Sequence, residues 1–397
     1  MKPSSEVLNP YLFLLVSFIF WVSHFIYVPM LAPYIELKGG SYTYAGLVLG
    51  SYGIMQLLCR MPIGIFSDLM KMRRPFILSG MIFSALSCLL FAVTDHLGWI
   101  LAARSLAGLA ASTWVVFTVL YASYFTDQQI TKAMGSISLV VVLAQFTGTG
   151  VSGYLVDQWG WQAPFWIGAW ISIVGLLLAF LIKETKNSRV GEPIRWKDLS
   201  AVIREPHLLK VSLLSVVAHG ILFTTMFGFT PAYAVNIGFQ ANEISQIVIA
   251  FMVPHAISTI LSGKVFVPKL GQWRTLQLAF GTAAVFSVLT PFVKTKLLLW
   301  ILQGLNGFSL GLLYPVLLAM AIEMIPQEKR ATAMGAYQGI YAIGMFTVPF
   351  FGGLLNNYLG IGGAFYLSGA LGLLAAIFSV VWSVQPSKSK IKKSVST

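Results

Sequence analysis

The chain has 397 residues, of which 57% are hydrophobic and 10% charged, with a mean hydropathy of +0.79 and a net charge of +13. Soluble domains carry about 25% charged residues, so this composition excludes a soluble globular protein and indicates a polytopic membrane protein with no sizeable soluble domain. The basic excess does not mark a nucleic-acid binder. Lys38, Lys294 and Lys296 fall on one side of the expected membrane, Arg60 and Arg104 fall inside apolar segments, and the other Lys and Arg lie in links that alternate to the opposite side.

A crossing takes about 20 apolar residues. The apolar segments predict spans near residues 11–34, 43–66, 75–93, 98–123, 133–156 and 163–183, then 209–235, 243–266, 273–292, 297–322, 331–356 and 362–384. Their lengths suit helices, and none alternates as a barrel strand does. The expected fold is all-α, with 12 transmembrane helices in two pseudo-symmetric six-helix bundles over 1–183 and 209–385. A cytoplasmic linker over 184–208 and a basic cytoplasmic tail over 386–397 complete the expected organisation. The positive-inside bias puts both termini in the cytoplasm, with the protein in the plasma membrane. Met1 to Pro10 lack a basic n-region and a cleavage site, so the first span is expected to be retained.

The link from Lys183 to Lys210 carries Lys186, Arg189, Arg195, Lys197 and Arg204, interleaved with Trp196, Leu199, Val202 and Ile203. That spacing suits an amphipathic helix on the membrane face or a solvated linker. Lys388, Lys390, Lys392 and Lys393 make the tail a basic surface anchor or a loose end. Cys59 and Cys88 both lie in apolar spans and read as packing residues rather than a disulfide or metal pair.

The sequence repeats itself. Gly64 has a counterpart in Gly263, and Arg104-x-x-x-Gly108 in Gln303-x-x-x-Gly307, each 199 residues on. Ala133-Met134-Gly135 recurs as Ala333-Met334-Gly335, and Gly153, Gly160 and Phe165 recur as Gly353, Gly360 and Phe365, at an offset of 200. A six-span unit copied once accounts for this, and parallel halves put a substrate site near the midplane between them.

The turn Arg60-Met-Pro-Ile-Gly64-Ile-Phe-Ser-Asp68-Leu-Met-Lys71-Met-Arg73-Arg74 links two apolar spans. Gly64 is expected to let backbones approach closely, Asp68 to accept hydrogen bonds from the start of the next helix, and Arg73 and Arg74 to hold the turn at the inner surface. Gly-x-x-x-Asp followed by a basic pair resembles the inner loop of the major facilitator superfamily of transporters, here in a partial form. Members usually have a basic residue after the Asp and a Gly two further on, where this chain has Leu69 and Lys71. The second copy keeps Gly263, Gly271 and Arg274 but has Val267 at the Asp position. The resemblance covers essentially the whole chain. It implies that Gly64, Asp68, Arg73 and Arg74 form a conformational latch between the halves. Arg104-x-x-x-Gly108 resembles the fourth-span motif, whose Arg takes part in proton coupling. Gly148-Thr-Gly150-Val-Ser-Gly153 resembles the fifth-span signature of the drug/proton antiporter branch, except that Thr149 replaces its Pro.

Polar residues inside spans carry the functional signal, because burying them in lipid is costly. Arg104 either ties carbonyls near the outer interface or charges a central cavity; Arg60, four residues from Gly64, reads as structural and able to reach the inner surface. No Asp or Glu occupies the middle of a span; Glu36, Asp95, Asp157 and Glu243 lie at outer ends and Glu323 at an inner end. The coupling candidates are therefore Arg104 with His24, His219 and His255, and Asp157 with Glu36 as fallback carboxylates. Trp21, His24, Phe25 and Val28 share one face of the first span, and His219, Phe223 and Met226 one face of the seventh. Tyr52, Gln56, Asn306, Tyr314, Gln338 and Tyr341 have comparable spacing, and together these residues line a cavity for an amphipathic, weakly charged substrate or serve interhelical packing. Pro29, Pro33, Pro231, Pro254 and Pro349 kink or end helices, and Gly148, Gly150, Gly153, Gly344, Gly352 and Gly353 are expected to allow close contact of spans 5 and 11 with opposing spans.

The expected protein is a monomeric secondary transporter, not an enzyme, that exports amphipathic compounds in exchange for protons. Uptake or facilitated passage of a metabolite, anionic and countered by Arg104, stands beside it. No zinc motif, nucleophile elbow or phosphate-binding loop is present, so no metal, cofactor or ATP is expected.

Overall fold

The computed structural model describes residues 4–126, 129–184, 204–326 and 330–384, and every regular element among them is helical. The first half contains α1 (Ser4–Phe25), α2 (Val28–Leu37), α3 (Tyr42–Met70), α4 (Arg74–Val93), α5 (Leu97–Ser112), α6 (Trp114–Ser123), α7 (Ile130–Trp159) and α8 (Ala163–Ala179). The second contains α9 (Pro206–Thr224), α10 (Thr230–Asn236), α11 (Ala241–Leu261), α12 (Val267–Leu270), α13 (Gln272–Leu289), α14 (Lys296–Glu323), α15 (Arg330–Leu359) and α16 (Gly363–Val384). Most of the expected linker and the whole expected tail lie outside the described residues.

Among the described residues, 11 helical stretches are long and apolar enough to cross a membrane. The sixth expected span, 163–183, is a shorter apolar helix ending at Ala179. Its shortness has a tertiary cause. The Arg74 guanidinium donates to the Phe180 carbonyl, and the Asn9 amide exchanges two hydrogen bonds with the Lys183 backbone, at 3.0 and 3.2 Å. These side chains satisfy groups that another helical turn would have used. Large apolar side chains such as Trp170, Leu177, Leu298 and Phe378 face outward, as a lipid-embedded surface requires.

Two spans are interrupted just before a proline. α1 stops at Phe25, four residues before Pro29, and a π-helical turn, Thr225–Phe229, precedes Pro231. A proline ring clashes with the carbonyl four residues back and supplies no N–H, which kinks the helix or, as at these two places, breaks its ladder. The break separates Trp21, His24 and Phe25 on α1 from Val28 on α2, so the expected single face is divided. Pro254 and Pro349, by contrast, sit inside continuous helices.

The helix pairings of the first half recur in the second. α3 packs on α5, α4 on α5 and α8, and α1 on α7 and α8; α11 packs on α14, α13 on α14 and α16, and α9 on α15 and α16. Helices joined by short turns alternate between a basic end, carrying Lys71 to Arg74 and Lys183, and a far end, carrying Lys38 and Gly160. The halves meet along α3–α15 and α7–α11.

That contact is tightest toward the far end. A Cβ on Gly46 would run into the Pro349 carbonyl, one on Gly353 into the Tyr42 carbonyl, and one on Gly153 into the Ala241 carbonyl. Thr43 accepts from the Asn357 amide at 2.6 Å, the Tyr42 hydroxyl from Asn236 at 3.3 Å, and the Ser245 hydroxyl from the Gly153 N–H at 2.9 Å. Several expected close approaches are corrected here. Gly64 has only Val115 nearby, at 3.7 Å, and Gly150 has nothing within 4 Å. Gly148 closes on α1 and Gly344 on α9, each inside its own half. The close approach of α3 belongs to Gly46, Gly50 and Gly53, half a helix away from Gly64.

Candidate functional site

Gly108 places α5 directly against α3, where a Cβ would lie 2.6 Å from the Tyr52 carbonyl. One turn earlier on α5, Arg104 is 2% exposed. Its guanidinium sits 4.3 Å from the Tyr52 ring centre and 5.7 Å from that of Tyr27, and it donates to the Tyr27 hydroxyl at 3.2 Å. Its Nε has no acceptor, and no carboxylate pairs with it among the described residues. Aromatic faces and one hydroxyl hold this cation in place of an anion. Tyr27, three residues after His24, is the partner that sequence spacing alone did not single out.

His24 lies beside this group. One ring nitrogen is 2.7 Å from the Phe20 carbonyl and the other 3.3 Å from the Ala107 carbonyl. A neutral imidazole donates from one nitrogen only, whereas a doubly protonated one donates from both. Trp21 stacks on Phe25 and meets Trp114 edge-on, forming an aromatic wall behind His24. Phe25 reaches Phe227 of the second half at 5.9 Å.

Tyr52, Gln56 and Arg60 follow one another at successive turns of one α3 face. Tyr52 stacks on Phe223 of the second half at 6.1 Å. Arg60 is not at the inner surface, as its spacing suggested, but 9% exposed within the protein. It donates to Gln56 Oε1 at 2.5 Å, to the Ala111 carbonyl at 3.5 Å and, across the halves, to Gln338 Oε1 at 3.1 Å. Two glutamines on different halves thus converge on one cation.

The second half contributes a denser aromatic cluster. His219 lies flat on Tyr341, centroids 3.8 Å apart, and edge-on to Tyr314 at 4.9 Å. Its Nδ1 donates to the Ser215 carbonyl at 2.9 Å, and the Ser215 hydroxyl bonds Tyr337 at 2.7 Å. His255 meets the same Tyr314 ring at 5.6 Å. His219, His255, Tyr314 and Tyr341 are therefore one group, with Ser215 and Tyr337 as members not anticipated. Asn306 is fully buried with neither amide atom bonded, as is Gln303, the repeat partner of Arg104. Asp157 stands apart, exposed at the far end, where it accepts a hydrogen bond from the Gln158 amide. Glu36 lies in the last turn of α2 at the far end, and Glu243 pairs with Lys296 at 2.6 Å. Asp95 pairs with Lys38 at 2.5 Å, and that contact holds its carboxyl below the ordinary carboxylate range.

At the basic end, the start of α4 is not capped by Asp68, as expected. Glu184 accepts from the Arg73 N–H at 2.5 Å and the Arg74 N–H at 3.5 Å. Asp68 is instead paired with the Arg73 guanidinium at 2.5 Å, and Arg73 also donates to Ser67 at 2.9 Å. The residue order explains the exchange: Arg73 returns on Asp68 across the tight turn, leaving the helix start to a carboxylate from beyond α8. Lys71, at the position where the resembled motif has Gly, is left-handed at φ 51°. Among the described residues, Gly64, Asp68, Arg73 and Arg74 find their partners within the first half in this conformation.

The sequence matches the family model described as Major Facilitator Superfamily over residues 13–296 and 278–396. It is 25% identical over 372 residues to the inner membrane transport protein YajR of Escherichia coli, covering 92% of this chain and 80% of that one. It is 24% identical over 367 residues to multidrug resistance protein 2 of Bacillus subtilis, covering 89% and 90%. The solved nucleoside transporter NupG shares the fold with a TM-score of 0.76 at 13% identity, covering 94% of this chain and 97% of that one. With helices paired in a repeated pattern around a buried polar centre, and a family match running from the first span to the last, the chain belongs to the Major Facilitator Superfamily of membrane transporters, which are not enzymes.

Proposed function

We propose that the protein is a proton-coupled secondary transporter that exports small amphipathic compounds by alternating access. Two six-helix bundles, residues 1–183 and 209–385, make up twelve crossings, with the basic end and both termini in the cytoplasm of a plasma-membrane monomer. The observation that carries the reading is the uneven seam between the halves. Polar and glycine contacts close its far end, whereas toward the basic end Arg60 to Gln338 is the one polar bridge among the described residues. A seam closed at the far end and sparsely bridged at the basic end supports a pathway that opens inward. Aromatic residues from both halves, with Tyr52 against Phe223 and His219 against Tyr341, supply its lining. Arg104 with His24, and His219 with His255, are the coupling groups; Asp68 with Arg73 is the latch that engages the second half when the cavity faces outward.

A second reading is uptake or facilitated passage of an anionic metabolite. One observation favours it: Arg104 has no carboxylate partner among the described residues. Flux in proteoliposomes under an imposed pH gradient separates the two. Acid-driven efflux of cationic dyes selects export, and anion uptake selects the second reading.

A further inference from the structure

Arg60 is a second buried cation with no carboxylate partner among the described residues, and it differs from Arg104 in one respect. Arg104 is enclosed by tyrosines of its own half, whereas Arg60 reaches across the seam. A guanidinium has five N–H donors. At Arg60 three of them have acceptors, all neutral: two glutamine amide oxygens and a backbone carbonyl at 3.5 Å. The Arg60 Nε is buried without an acceptor, and so is the Gln56 amide nitrogen, on a side chain 3% exposed. Both glutamine oxygens are already turned toward the cation. What remains around it is a set of donors lacking an acceptor. A carboxylate accepts charge-assisted hydrogen bonds roughly twice as strong as neutral ones, and bidentately from a guanidinium, so it outcompetes an amide oxygen here.

The same faces define the rest of the ligand. Tyr52 lies eight residues from Arg60, about 12 Å along α3 at 1.5 Å per residue. Tyr341 lies one turn from Gln338 on α15, stacked with His219. An apolar or aromatic body running past Tyr341 toward Tyr52 and an anionic head toward the basic end fit this spacing.

Building on the transporter reading above, we propose that the substrate is an amphipathic organic anion, its carboxylate-type head displacing Gln338 from Arg60. Gln338 is then the stand-in that holds the cation when the cavity is empty, and releasing it frees the α3–α15 bridge nearer the basic end.

The test is equilibrium binding to the full chain in nanodiscs, using naphthylacetate, its primary amide and naphthylethylamine, which share one apolar body. Naphthylacetate is expected to bind at least about tenfold tighter than the other two. Arg60→Gln removes that preference. Gln338→Glu supplies an internal carboxylate to Arg60, keeps the cation paired and so keeps the fold, and lowers naphthylacetate affinity by about tenfold or more. Equal affinity for the amine, unchanged affinity in Gln338→Glu, or no binding of naphthylacetate each overturns the proposal. Spin-label distances across the two ends of the molecule report alternating access without any ligand, so the transporter reading stands or falls separately.

Discussion

Two positions related by the internal repeat have the same backbone packing and opposite chemistry. Gly108 seats α5 on the Tyr52 carbonyl, and Gly307 seats α14 on the Phe251 carbonyl, 199 residues further along in each case. One turn before each glycine stands Arg104 in the first half and Gln303 in the second. The arginine is wrapped by Tyr52 and Tyr27, whereas the glutamine has no hydrogen-bond partner and faces a half in which Phe251 and Met226 stand where those tyrosines would be. Duplication supplied the scaffold twice, and the charge and its aromatic cage are present once. The shared features serve packing; the asymmetric ones are where function is to be sought.

Making the halves alike breaks this comparison in measurable ways. The largest effect is expected from Gln303→Arg, which buries a cation without tyrosine hydroxyls and costs about 2.5–3.5 kcal/mol on membrane-insertion scales. Thermal unfolding of the purified protein should fall by several degrees. Gly108→Ala and Gly307→Ala test the shared scaffold. Each added methyl meets a backbone carbonyl, and overpacking of this kind costs about 1–3 kcal/mol in either half. A loss in one half alone would contradict equivalent packing.

Arg104→Gln gives the first half the chemistry of the second. Removing a buried charge together with its desolvation cost leaves stability nearly unchanged. Flux driven by a pH gradient is expected to fall about tenfold or more and to lose its pH dependence. Unchanged pH dependence would make Arg104 a packing residue.

The two basic-end turns extend the comparison. Asp68 pairs with Arg73 in the first, and its counterpart in the second is the uncharged Val267. Asp68→Asn is expected to slow cycling while membrane insertion, read from expression of the full-length chain, is unchanged. The smallest effect is Lys71→Gly. Lys71 is left-handed at φ 51°, a backbone conformation that favours glycine. Relieving that strain should stabilise the protein by about 1 kcal/mol, a shift of a few degrees or less in unfolding temperature.

The spans were legible because hydropathy reports burial in lipid directly. The repeat was legible because glycines and a tripeptide recur at an offset of 199 and then, after one inserted residue, of 200. What failed depended on partners far away in sequence. Gly64 carries the motif but not the close contact, because spacing within one helix does not say which neighbour passes it. Arg60 reads as an inner-surface residue until Gln338, 278 positions on, is brought to it. Glu184 took the capping role expected of Asp68 because the end of α8 folds back over the start of α4. His24, His219, Tyr52, Gln338 and Tyr341 were all visible as polar or aromatic positions within spans. Their division into an Arg104 group, an Arg60–Gln338 bridge and a Tyr314 group was not, because two chain segments had to be docked first.

The central claim is that the two halves rock about a shared centre, opening one end as the other closes. Double electron–electron resonance in nanodiscs tests it most directly, with one label pair at Thr43 and Asn357 across the far end and another at Lys71 and Lys264 across the basic end. The account predicts two populations whose distances change in opposite senses as pH is varied. A single unchanging distance at both ends would contradict it.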